Sequence, residues 1–155
     1  MEKEIVATSK APQAIGPYSQ AVRVGSFVHT AGQIAINPET SQIVPGGVAE
    51  QAEQVMQNLR AVLEAAGTGL KNVVKTTIFL RYMKDFSTVN EVYGRFFGPN
   101  YPARSTIAVA ALPLQALVEI EVIALVPEQA APQEPVKAKK TTKKKKKAKG
   151  KGKNK

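Results

Sequence analysis

The 155-residue sequence contains no cysteine and only one histidine, His29. Without cysteine the chain can form no disulfide bond, no thiolate metal site and no cysteine nucleophile. One histidine is too few for the multi-histidine zinc or iron sites that are built within a single chain. We therefore expect no metal site in this protein.

Long hydrophobic runs are also missing. The best candidate, residues 107–126, is interrupted by Pro113, Glu119 and Glu121, so it predicts no membrane-spanning segment. The first residues, MEKEIVATSKAP, are too polar for a signal peptide. We expect a cytosolic protein, with the nucleus as an alternative because of the basic C-terminal segment.

The net charge of +10 belongs entirely to the C-terminal segment. Residues 1–127 carry ten basic and ten acidic side chains, whereas residues 128–155 carry twelve lysines and two glutamates. This segment has no aromatic residue and one β-branched apolar residue, Val136, so it cannot bury enough surface to offset the entropy of ordering. We predict a globular domain over residues 1–127 and a disordered lysine-rich tail over residues 128–155.

Residue patterns within the domain predict several strands and two helices. Alternating or β-branched residues predict strands near residues 3–8, 18–25, 26–34, 41–44, 72–82, 104–111 and 117–126. An apolar face repeating at helical spacing predicts a first helix over about residues 48–66, with Gly67 as its stop. A second helix begins near Asp85 or Ser87, either of which can cap it, and Gly98 ends it.

These elements indicate an α+β domain in which two helices cover one face of a mixed or antiparallel sheet. The opposite face is left uncovered, although the strand sequences IAVAAL and VEIEVIALV are too apolar to face water. Uncovered apolar faces usually mark association surfaces. We therefore expect a homo-oligomer, and ligand pockets often form at such junctions.

The closing strands carry the most informative charged residues. Strand alternation places Glu119 and Glu121 on one face of the last strand, and Arg104 and Thr106 on one face of the neighbouring strand. One interpretation is that these charges only balance each other as partly buried ion pairs. The other is that Arg104 binds a small carboxylate while a glutamate handles a proton or a water molecule. Spacing alone leaves both interpretations open.

Several blocks of the sequence resemble the reactive-intermediate imine deaminases, the RidA or YjgF-type family. The blocks are PARSTIAVAALP followed by VEIE, APQAIGPYSQA, TAGQI, VVKTT and DFSTVNEVY, and they span about residues 4–127. The resemblance implies a chorismate-mutase-like α+β domain, a homotrimer with pockets between subunits, and no cofactor. It implies hydrolysis of reactive enamine and imine acids, such as 2-aminoacrylate and 2-iminobutanoate, to 2-keto acids and ammonia.

The resemblance also implies roles for individual residues. Arg104 is expected to bind the substrate carboxylate, and Glu119 to position or activate the attacking water. Tyr18 and Asn90 are expected to line the pocket, with a core aromatic and an ordinary helix-surface residue as the alternatives. Phe86, Phe97 and Tyr101 are expected to be packing residues.

Two further positions are expected to contribute mainly backbone groups, namely Gly32 and Thr106. Thr106 stands where some members of the family have cysteine. Ala31 stands where many members have serine, so a hydroxyl contact to the ligand is expected to be missing. This difference bears on rate or substrate range more than on the reaction class.

A rival hypothesis is an RNA-associated scaffold or a translation-inhibiting ribonuclease that acts through the basic tail. Twelve lysines suit nucleic-acid phosphates, a nuclear-localisation patch or an anionic membrane surface, and they also suit a solubilising extension without a dedicated partner. The domain argues against ribonuclease chemistry, because its formal charge is zero and His29 is its only histidine.

Overall fold

The computed structural model describes residues 2–127. The predicted tail, residues 128–155, lies outside this range. The helices and strands, in chain order, are β1 (Lys3–Val6), β2 (Ala21–Val24), β3 (Phe27–Thr30), β4 (Ile36–Asn37), β5 (Gln42–Ile43), α1 (Val48–Ala65), β6 (Val73–Leu80), α2 (Phe86–Phe97), β7 (Ala103–Ala108) and β8 (Val118–Leu125).

Six strands form one sheet in the order β1-β2-β3-β8-β6-β7, and β4 and β5 form a separate small hairpin. All neighbours in the large sheet are antiparallel except β6 and β7, which are parallel. Helix α2 makes the crossover between these two parallel strands, as such a connection requires. The predicted α+β class with a mixed sheet and two helices is confirmed.

Helix α1 forms because its apolar residues recur at helical spacing and pack on the sheet. Its most buried side chains are Val55, Met56, Leu59, Val62 and Leu63. The helix ends before Gly67, whose φ of +80° suits glycine. The Thr68 amide then donates to the Leu63 carbonyl at 3.0 Å, which satisfies one carbonyl of the last turn.

Helix α2 begins at Phe86 without the expected side-chain cap. Asp85 occupies the N-cap position but makes no capping hydrogen bond, because a short 3-10 turn, Met83–Asp85, runs directly into the helix. The prediction that Asp85 or Ser87 caps this helix is therefore wrong. Neither of the two helices within residues 2–127 is long and apolar enough to cross a bilayer.

The face of the sheet away from the helices is open in a single chain. The strand register places Ile5 of β1, Val24 of β2, Phe27 of β3 and Leu125 of β8 on this face. Ile107 of the edge strand β7 lies on the same face. Each of these side chains is 36–54% exposed, which is unusual for so many large apolar groups on one surface. The uncovered apolar face expected from the sequence is thus present, and its role in association stays a prediction.

Candidate active site

Arg104 lies on β7, the edge strand, with its side chain on the helix-covered face. Its register partner on β6 is the buried Thr76, whose hydroxyl lies 2.9 Å from the phenol oxygen of Tyr93. The guanidinium carbon lies 5.0 Å from the centre of the Tyr93 ring and 5.5 Å from that of Phe86. Aromatic faces attract a guanidinium at such distances, so α2 helps to hold this arginine in place.

A cavity of about 440 Å³ adjoins the guanidinium group. Its lining residues are Asn90, Tyr93, Gly94, Tyr101, Pro102 and Arg104. Tyr101 is 62% exposed and Phe86 is 36% exposed, so neither is the packing residue expected from the sequence. Phe97 is buried and is a packing residue, as expected.

Arg104 pairs with no carboxylate among residues 2–127, where the one ion pair joins Arg95 and Glu53. The interpretation in which Arg104 is balanced by Glu119 or Glu121 of its own chain is therefore wrong. The reason is topological. Strand β7 pairs with β6, not with β8 as expected, so β6 separates the arginine from both glutamates.

Glu119 lies on β8 opposite Phe79 and faces the open side of the sheet. Glu121 lies on the same side, as strand alternation predicted. Beside Glu119 is a second cavity, of about 370 Å³, which we call the Glu119 cavity. Its lining residues are Pro12, Gln13, Ile15, Tyr18, Ala31, Gly32, Gln33, Ile34, Ile36, Pro113, Leu114 and Glu119. Tyr18 is half-exposed here and is not a core aromatic.

A local bulge brings the backbone of Gly32 against the Glu119 carboxyl group. His29 pairs with Ile123 and Gln33 pairs with Ile120, so the β3 side has one residue more than the β8 side. A Cβ atom on Gly32 would lie 2.8 Å from the carboxyl carbon of Glu119 and collide with its Oε1 oxygen. Only glycine allows this approach, and any larger residue would displace the carboxyl group.

Burial raises the pKa of the Glu119 carboxyl above its ordinary value, and the negative charge of Glu121 raises it further. Both effects disfavour the carboxylate form. A carboxyl group whose pKa is moved toward neutrality is a better proton acceptor and donor at neutral pH. Burial also raises the pKa of the Tyr93 phenol, so this ring stays neutral beside Arg104.

Three buried amide side chains, which the sequence analysis missed, hold the loops around the Glu119 cavity. Gln20 accepts from the Thr8 amide at 2.6 Å and donates to the Pro12 carbonyl at 2.7 Å. Asn58 donates to the carbonyls of Ile34 and Ile36, and Gln51 accepts from the Leu117 amide at 2.8 Å. The sequence contained a signal for two of these residues, because Gln51 and Asn58 lie among the apolar residues on the buried face of α1.

The site residues predicted from the sequence fall into two groups. Arg104 and Asn90 line the first cavity, whereas Tyr18, Ala31, Gly32 and Glu119 line the second. Thr106 lines neither, and its buried hydroxyl has no hydrogen-bond partner within residues 2–127. One chain therefore places these residues at two separate cavities and does not bring Arg104 and Glu119 together. The described residues contain no cluster of three or more His, Cys, Asp or Glu side chains that could hold a metal ion.

Comparisons with known proteins identify close relatives. Residues 8–126 match the protein family described as endoribonuclease L-PSP. The mouse 2-iminobutanoate/2-iminopropanoate deaminase is 50% identical over 123 residues, which are 79% of this chain and 91% of that protein. A RutC family protein of Pyrococcus abyssi is 50% identical over 124 residues, which are 80% and 98% of the two chains. The crystal structure of RidA from an Antarctic Psychrobacter species superimposes with a TM-score of 0.76 at 45% identity, covering 79% of this chain and 98% of that one.

The raised pKa of Glu119 predicts that Glu119→Gln stabilises the fold at neutral pH. The folded state favours the protonated form of the Glu119 carboxyl. The stability that this group contributes is therefore fully present at acid pH and is lost as the pH rises through its folded-state pKa. The midpoint of urea unfolding should therefore be higher for Glu119→Gln than for wild type at pH 7. The two midpoints should converge at acid pH, where the carboxyl is protonated in both states.

The matched control is Glu39→Gln, which alters an exposed glutamate outside both cavities and should leave the midpoint unchanged. All midpoints need the same protein concentration, because association also shifts apparent stability. Equal midpoints for Glu119→Gln and wild type at pH 7 would contradict a destabilised carboxylate.

Proposed function

Because this chain belongs to the RidA (YjgF-type) family and is a Rid-type deaminase, we propose that it hydrolyses reactive 2-imino and enamine acids to 2-keto acids and ammonia. Substrates of this class include 2-aminoacrylate, its imine tautomer 2-iminopropanoate and the larger 2-iminobutanoate. The proposed reaction uses water and needs no cofactor. The mouse relative that is 50% identical carries the corresponding deaminase name, which supports this proposal.

The observation that carries the proposal is the environment of Arg104. Its guanidinium group borders a cavity, contacts two aromatic rings and has no carboxylate partner among residues 2–127. A partly buried cation in such a place is suited to an anionic ligand. The planar guanidinium can bind both oxygens of a carboxylate at once, and a carboxylate is the group that all 2-imino acids share.

We propose that the complete site forms between two subunits of a homotrimer. Arg104 and Asn90 of one subunit would face Tyr18, Gly32 and Glu119 of the next. The exposed apolar side chains on the open face of the sheet supply a surface that association would bury. In a cyclic trimer each subunit contributes its Arg104 half to one site and its Glu119 half to another. Three equivalent sites result.

In the proposed mechanism, the substrate carboxylate binds to Arg104 and the imine carbon lies near Glu119. The Glu119 carboxylate accepts a proton from a water molecule as the water oxygen bonds to the carbon of the protonated imine and the C=N electron pair moves to nitrogen, which gives a neutral carbinolamine. Glu119 then donates this proton to the amino group. The carbinolamine hydroxyl gives its proton to the Glu119 carboxylate as the C–N bond breaks, the 2-keto acid and ammonia are released, and ammonia takes the proton from Glu119 to leave as ammonium. An enamine substrate first takes up a proton at carbon to become the protonated imine.

The first functional prediction concerns Arg104→Lys. A lysine keeps the charge but replaces the planar fork by a single ammonium group. We expect kcat/KM to fall roughly 10- to 100-fold, which is the range for losing one hydrogen bond to a charged group. The measurement is release of 2-keto acid from 2-aminoacrylate formed in situ by a pyridoxal-phosphate dehydratase. Arg81→Lys, which lines neither cavity, is the control, and near-normal activity of Arg104→Lys would refute the assigned role.

The second functional prediction tests the site between subunits. Arg104→Ala and Glu119→Gln should each be inactive alone. When the two variants are co-expressed with different affinity tags, mixed trimers purified through both tags should recover about a third of the wild-type activity, because one of the three subunit junctions in every mixed trimer unites two intact halves. Light scattering should give three times the mass of one chain. A mixed oligomer as inactive as its parents would contradict a shared site.

We also propose that residues 128–155 bind nucleic acid without sequence preference. The observation that favours this second function is the segregation of charge, with the whole net charge of +10 on a segment that holds twelve lysines. Lysines alone suffice for phosphate contacts. Stable membrane attachment usually needs an apolar or lipid anchor as well, and the segment has no aromatic residue and only one β-branched apolar residue.

Deletion of residues 128–155 should abolish RNA binding and leave imine hydrolysis unchanged. Binding of the full-length protein should weaken about 10³-fold or more between 50 and 200 mM salt if six or more phosphates are contacted. A full-length variant with all twelve lysines replaced by glutamine is the control for segment length. Retention of RNA binding by either altered protein, or tighter binding to anionic vesicles than to RNA, would count against this function.

A further inference from the structure

We propose, on the premise of the imine hydrolysis above, that Leu114 is a specificity-determining residue that favours substrates with aliphatic side chains. With the substrate carboxylate on Arg104 of one subunit and the imine carbon near Glu119 of the next, the side chain of the substrate extends into the Glu119 cavity. This cavity therefore distinguishes one 2-imino acid from another, since the carboxylate and imine groups are common to all of them.

The wall of the Glu119 cavity is mostly apolar. Its aliphatic and proline residues are Pro12, Ile15, Ala31, Ile34, Ile36, Pro113 and Leu114. Ile15 and Leu114 keep 81% and 59% of their surface exposed, so much of their apolar area is available to a ligand. Burying apolar surface of a ligand against them removes both surfaces from water, which is favourable.

The backbone presents Leu114 to the cavity in an uncommon conformation. Leu114 has φ 51° and ψ 27°, and the next residue, Gln115, has φ 56°. Two successive residues other than glycine in the left-handed region are strained, and such strain concentrates at functional sites and ligand clamps. Hydrogen bonds on the C-terminal side hold the turn, because the Ala116 amide donates to the Pro113 carbonyl at 3.0 Å and the Leu117 amide donates to Gln51 at 2.8 Å.

The electrostatics of the cavity oppose acidic side chains. Glu119 is the one charged residue among the lining residues that the structure describes, and Glu121 lies on the same face of β8. A second carboxylate on the substrate would enter this negative environment, where none of the lining residues among residues 2–127 is a cation. Leaving a charge unpaired on desolvation is one way in which a site rejects a competitor.

The experiment compares the imines of alanine, leucine and glutamate, each formed in situ from the amino acid by an amino-acid oxidase. For wild type we expect kcat/KM to be highest for the leucine imine and lowest for the glutamate imine. Leu114→Asn keeps a residue that tolerates the left-handed conformation but removes the aliphatic wall. It should lower the leucine-to-alanine ratio of kcat/KM about tenfold, as expected for losing apolar contact in a pocket.

Gln115→Asn is the matched control, because Gln115 shares the left-handed turn but does not line the cavity. It should leave the leucine-to-alanine ratio unchanged, and circular dichroism should show that both variants are folded. An unchanged ratio in Leu114→Asn, or equal changes in both variants, would overturn the role of Leu114 while the deaminase function stands. Absence of hydrolysis of every imine by wild type would instead overturn the proposed function, and this inference with it.

Discussion

Arg104 and Glu119 lie on opposite faces of one sheet, and the organisation of the site follows from this placement. Arg104 is in register with Thr76, and Glu119 is in register with Phe79, on the same central strand. These two β6 residues are an odd number of positions apart, so their side chains point to opposite faces. The arginine is therefore kept from the glutamates of its own chain, and both groups stay available to a ligand. The same geometry means that a site using both requires two subunits.

The domain holds its loops with neutral amides instead of ion pairs. Gln20, Gln51 and Asn58 bond to backbone groups of the loops that border the Glu119 cavity, while residues 2–127 contain a single, exposed ion pair. Neutral hydrogen bonds stabilise these loops without adding charge near Glu119. The approach of Gly32 to the Glu119 carboxyl adds to its desolvation, so the close packing that fixes this group also moves its pKa toward neutrality.

The sequence allowed the element types, the two helices and the uncovered apolar face to be predicted, because these depend on local periodicity and composition. The pairing of β7 with β6 was missed, because short-range patterns contain no information on which strands become neighbours. The orientation of Arg104 toward α2 and the exposure of Tyr101 depend on that pairing. The resemblance grouped residues of both cavities in one list, and the fold shows that one chain divides them between the two cavities. The bulge at Gly32 and the left-handed turn at Leu114 arise from tertiary contacts, and no sequence period indicates them.

A site with so few polar groups is sufficient for the proposed reaction, because an imine next to a carboxylate is already electrophilic. The remaining requirement is to place the substrate and one water molecule, and favourable placement alone supplies up to about 7–11 kcal/mol. In the proposed mechanism Arg104 orients the substrate through its fork and Glu119 is the proton-transfer group. The aromatic rings of α2 restrict the movement of Arg104, and the pKa of Glu119 is raised. The rest of the pocket wall is then free to be apolar. In this proposal the substrate range is set by the wall, where Ala31 and Leu114 lie, and not by the charged groups to which the hydrolysis is assigned.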